Sequence, residues 1–157
     1  MLKSGLIAAA VMLVLTIGTT LISPYCVPCL AILVGLGAGA LGGQFDKPAD
    51  LGACAKSGAA AGAIGGLGAI VGHLVGGVIN AVVVGPEGAA RVLSQIGFSS
   101  STMTPTTYYA FTFGAACCIG LVDVLLMAGL GALGGLLWWQ LAGKSGANPG
   151  ATMLSPR

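Results

Sequence analysis

Apolar positions in this chain fall into long unbroken runs, and polar residues gather in the short stretches between them. Four runs are long enough to read as membrane-spanning helices, since about 20 residues cross a hydrocarbon layer about 30 Å thick. The first covers residues 5–22 and is stopped by Ser23-Pro24, because proline has no amide hydrogen and turns the residue before it away from the helix. The second covers 29–45 and is short for a bilayer. Gln44 to Ala55 carries Asp46, Lys47, Pro48 and Asp50 and reads as a solvated loop. The third span covers 57–84, with length that tilt can absorb, and the fourth covers 106–142.

The connection between the third and fourth spans has a pattern of its own. Gly85-Pro86-Glu87 is a helix start, with proline tolerated at the first position and an acid favoured in the first turn. Ala89, Val92, Leu93 and Ile96 then recur at i, i+3, i+4 and i+7 while Arg91, Ser94 and Gln95 face the other way. This predicts a short amphipathic helix over 86–97, lying in the membrane interface and closed by Gly97. Thr104-Pro105 supplies an N-cap and a first position for the last helix. Tyr108 and Tyr109 at one end of that helix and Trp138 and Trp139 at the other are the residue types that anchor to the two interfaces. At 1.5 Å rise per residue the pairs stand about 43–45 Å apart, close to a bilayer with its headgroups, which favours one continuous tilted span.

Composition sharpens this picture. Hydrophobic residues make up 56% of the 157 residues and charged residues only 6%, too few to cover a water-soluble surface. The expected fold is an all-α integral membrane protein, a glycine-rich, close-packed bundle of about four transmembrane helices plus the short interfacial helix, organised as a single membrane domain over 1–157. A net charge of +2 without a basic cluster argues against nucleic acid as a partner. The expected partners are the lipid bilayer and other membrane subunits or copies of the chain itself. Lys3 before an apolar run has the layout of a signal peptide, but no small-x-small cleavage site follows, so the segment is read as a retained helix. With Lys3, Lys47, Lys56, Lys144 and Arg157 on one side and only Arg91 on the other, the positive-inside rule predicts cytoplasmic termini in a cell membrane, with Cys26 and Cys29 outside.

Glycine supplies 28 residues, and inside the spans it recurs every fourth position. Gly35, Gly39 and Gly43 do so in the second span, Gly58, Gly62 and Gly66 and then Gly68, Gly72 and Gly76 in the third, and Gly131 and Gly135 in the fourth. Every fourth residue returns to nearly one helix face, and a face without side chains lets backbones approach and gain the dispersion contacts that drive helix association in lipid. Glycine on more than one face marks the third span as the central helix. Such packing can serve within the chain, between copies, or against other proteins.

Three features carry possible chemistry. Cys26-Val27-Pro28-Cys29 places two thiols at a spacing that allows an exchangeable disulfide, beside a helix N-terminus that favours a thiolate. This pair, in the first outer loop just before the second span, resembles the layout of the disulfide-generating quinone reductases of bacterial membranes over Cys26 to about Gly43. The resemblance implies a redox-active thiol pair at Cys26 and Cys29. That family also needs a second cysteine pair in the next outer loop, and Val84 to Thr107 contains no cysteine. The second feature is an intramembrane polar pair, His73 and Asp123, which counting from the span ends places within about one turn of each other in depth, with Asn80 two turns beyond His73. An intramembrane acid in a glycine-rich chain is similar in composition to the proteolipid rotor subunits of ion-driven ATPases, but the internal hairpin repeat of those subunits is not found here. The third feature is Cys117-Cys118, adjacent thiols that point in different directions and are expected to be small core residues. Cys54 is expected to be reduced or acylated.

No phosphate loop, nucleophile elbow or zinc-protease motif is present, no metal site is expected, and the sequence leaves any cofactor unknown. A non-catalytic accessory or scaffold subunit of a larger membrane complex, or a self-associating bundle packed through its glycine faces, is the leading expectation. A membrane thiol–disulfide oxidoreductase using Cys26 and Cys29, and a small channel or ion-coupled carrier using His73 and Asp123, are the alternatives.

Overall fold

The computed structural model describes residues 2–22, 27–95, 97 and 104–143. They form helices α1 (Leu2–Ile22), α2 (Val27–Asp46), α3 (Leu51–Val83), α4 (Gly85–Gln95) and α5 (Pro105–Trp138), the last running into a π-helical turn at Trp139–Gly143. The structure is all-helical, and α1, α2, α3 and α5 are the four helices long and apolar enough to cross a membrane. The chain is therefore a multi-pass membrane protein.

Two boundaries differ from the sequence reading. α2 begins at Val27, so it has 20 residues and is of ordinary spanning length rather than short. The stretch Gln44 to Ala55 is mostly helix: Gln44 to Asp46 end α2, and α3 starts at Leu51, six residues before the expected position. The cause lies in Asp50, whose carboxylate accepts the Ala53 amide at 2.7 Å and caps α3 instead of standing free in a loop. The connection is reduced to residues 47–50, with Lys47 in the left-handed region at φ 43°.

At its far end α3 is turned into α4 by Gly85, whose φ of +64° a side chain would oppose. α5 opens as its sequence predicts, with Thr104 accepting the Thr107 amide at 3.2 Å and Pro105 at its first position, and then continues without a break through 38 residues to Ala142.

Close approaches fix the arrangement of the spans. Gly5 meets Ile64 and Gly68 meets Ala9, a constant offset, so α1 and α3 run parallel. Gly66 meets Val124 and Gly120 meets Ile70, so α3 and α5 run antiparallel. α3 packs against α1, α2 and α5, and α2 packs against α1, α3 and α5, so α2 and α3 stand in the middle with α1 and α5 at the outer corners. The centre is built from Met12, Ala31, Ala69 and Met127, with Ala8, Ala38 and Ala61 beside them. Methionine fits here because its unbranched chain fills the irregular space that glycine and alanine leave.

Candidate functional site: a buried His–Asp pair beside a glycine seam

Along the α3–α5 contact the backbones meet almost directly. A Cβ placed on Gly62 would overlap the carbonyl of Met127, one on Gly58 the carbonyl of Gly131, and one on Gly135 the carbonyl of Cys54. Gly39 of α2 meets the Gly131 carbonyl in the same way, and Gly68 of α3 meets the Ala9 carbonyl of α1. Gly72 lies against Thr16, with a Cβ there 2.7 Å from the threonine Cβ, and Gly35 lies against Met127 and Leu130. Gly43 is covered by the ring of Trp138, and Gly76 is buried. The glycine faces of α2, α3 and α5 thus point at helices of the same chain. Sequence spacing missed Gly134, which meets the Leu36 carbonyl, and Gly120, because each stands outside a four-residue series on its own helix.

Above this seam the packing holds one ionisable pair. His73 Nε2 and Asp123 Oδ2 are 2.9 Å apart, with His73 6% and Asp123 1% exposed. The contact at Ile70 and Gly120 shows that the two backbones are not at one depth: His73 lies one side of that level and Asp123 the other, about two turns apart rather than one. Helical side chains lean toward the N-terminus of their own helix, and in antiparallel helices that direction is toward each other. The lean closes the gap. A hydrogen-bonded pair of this kind satisfies two polar groups that would each be costly alone at membrane depth. Chemically it can exchange a proton between the imidazole and the carboxylate, and mechanically it ties α3 to α5. Asn80 is half-buried two turns on, and its carbonyl accepts the Val84 amide at 2.8 Å.

A second polar tie was missed in the sequence. Ser57 Oγ donates to Asp46 Oδ2 at 2.5 Å and joins the end of α2 to the first turns of α3. Ser57 lies one turn before Ala61 on the buried face of α3, and a lone serine at the start of an apolar span does not show which helix it meets.

The thiols are dispersed. Cys29 is exposed in the first turn of α2, and Cys26 lies outside the described residues. Cys117 and Cys118 are exposed on the outer surface of α5 rather than in the core: α5 buries Ala116 and Gly120, which leaves both cysteines turned outward. Cys54 is fully buried, which removes it from reach of an acylating enzyme. Of the interfacial aromatics, Tyr109 is exposed, while Tyr108 is buried and touches it edge-on with centroids 5.3 Å apart, and Trp138 packs over Gly43. Trp138 therefore also serves packing between helices. Among the described residues no three His, Cys, Asp or Glu side chains gather as metal ligands.

Comparison of the chain with protein-family models, with curated proteins and with solved structures finds no match.

Proposed function

We propose that this protein is a non-catalytic accessory or scaffold subunit of a larger membrane complex. The observation that carries the reading is the glycine seam, in which backbone meets backbone at Gly58, Gly62 and Gly135. Helices locked at that distance cannot slide without clashes, so the bundle presents a rigid outer surface, which is what a scaffold requires. The seam is consumed within the chain, so partner helices must dock elsewhere. Gly37 on α2 and Gly114 and Gly129 on α5 are exposed with open space before them, and they offer the close approach that the interior glycines no longer can. Gentle solubilisation from the native membrane, native gel separation and mass spectrometry of co-migrating proteins test the reading. Stoichiometric co-migration with other subunits, lost in Gly114→Leu or Gly129→Leu, supports it; migration alone or as a homo-oligomer overturns it.

The 2.9 Å contact of His73 and Asp123 favours a second reading, an ion-coupled carrier or small channel in which the pair relays a proton. Asp123→Asn separates the two. A carrier loses transport while the bundle stays folded, whereas a scaffold keeps its partners.

A further inference from the structure

Between α1 and α3 the outer surface is cut by an open apolar groove of about 450 Å³, walled by Leu6, Ala10 and Leu13 on α1 and Ile64, Leu67 and Val71 on α3. Its floor is the close contact of Gly68 with Ala9, which draws the two helices together and leaves the larger side chains to stand as walls. Lys3 shares the helix face of Leu6, Ala10 and Leu13, at spacings of three, seven and ten residues, and is exposed one turn beyond the end of the groove. Lys56 continues the face of Leu67 and Val71 and is exposed about two turns beyond Ile64. Because α1 and α3 are parallel, both lysines stand at the same end. The acids of that end have partners: Asp46 accepts from Ser57, and Asp50 caps α3. Among the described residues neither lysine is paired with a carboxylate.

We infer that this groove binds one anionic phospholipid, with an acyl chain between α1 and α3 and the phosphate at Lys3 and Lys56. Three observations fit one lipid. From Lys3 to Leu13 the site is about 15 Å long, the depth of one leaflet. Its walls are apolar side chains along their whole length, which suits an acyl chain. Its one charged end carries cations, where basic side chains between spans meet anionic headgroups. A helix from a second copy would fill the apolar walls but would leave both lysines unanswered.

Native mass spectrometry of the full chain in mild detergent, titrated with phosphatidylglycerol or phosphatidylcholine of the same chains, tests the site. The wild type is expected to retain one phosphatidylglycerol per chain in preference to phosphatidylcholine. Lys3→Gln and Lys56→Gln are each expected to weaken retention roughly fivefold. Lys47→Gln, an exposed cation at the same end but off the groove, is expected to change nothing. Equal retention of the two lipids, an equal loss in Lys47→Gln, or a dimer mass in place of the lipid adduct overturns the inference. Should a lysine variant not stay monodisperse, Ala10→Phe blocks the groove with both cations intact; loss of the bound lipid supports the site, and undiminished retention overturns it.

Discussion

At Gly62 the Met127 carbonyl occupies the space in which a side chain would begin, and this single hydrogen-sized gap sets the distance between α3 and α5. His73 and Asp123 act at the same scale but by a directional bond. Removing either leaves the other buried and unanswered, so the two losses should not add. Thermal unfolding in detergent of His73→Ala, Asp123→Ala and the double variant is expected to show a coupling of about 0.6–2 kcal/mol, the double losing less than the sum. Strict additivity would mean that the contact contributes nothing. The pair was legible in the sequence because ionisable residues are rare in apolar spans and both stood out. Its geometry was not, because the lean of the side chains and the α3–α5 register depend on where Gly120 and Ile70 meet. The outward direction of Cys117 and Cys118 was likewise hidden, since α5 is apolar all round and its periodicity does not show which side faces the bundle.

At the scale of elements, the apolar runs located each span because length and hydropathy alone decide what can cross a bilayer. The ends were harder. A cap and a solvated loop use the same residue types, so Asp50 was assigned to a loop although it starts α3. Asp50→Ala is expected to cost about 1 kcal/mol of stability and to speed amide hydrogen exchange in the first turn of α3. An unchanged exchange rate at Ala53 would show that the carboxylate does not hold that amide. α4 is an example of the opposite kind. Glycine and proline placement puts its start at residue 86, next to the observed Gly85, and Gly97, expected to close it, has φ +88°.

At the scale of the whole molecule, four apolar helices and a central α3 were legible from composition and from glycine on several faces of one helix. Which use the glycine faces serve was not. A four-residue spacing is the same whether the partner helix belongs to the chain or to another protein, and only the three-dimensional register places Gly39, Gly58 and Gly131 against one another. That internal use is what holds the single chain together as a bundle. It is tested most directly by comparing Gly62→Leu with Gly114→Leu for the stability of the purified single chain and for its recovery with partners on a native gel. Gly62→Leu is expected to destabilise the bundle by about 3 kcal/mol or more, because a leucine cannot be placed without parting α3 from α5, while Gly114→Leu leaves the single chain as stable as before. If Gly62→Leu instead leaves the isolated chain intact and removes only its partners, the glycine faces pack between proteins, and the central claim fails.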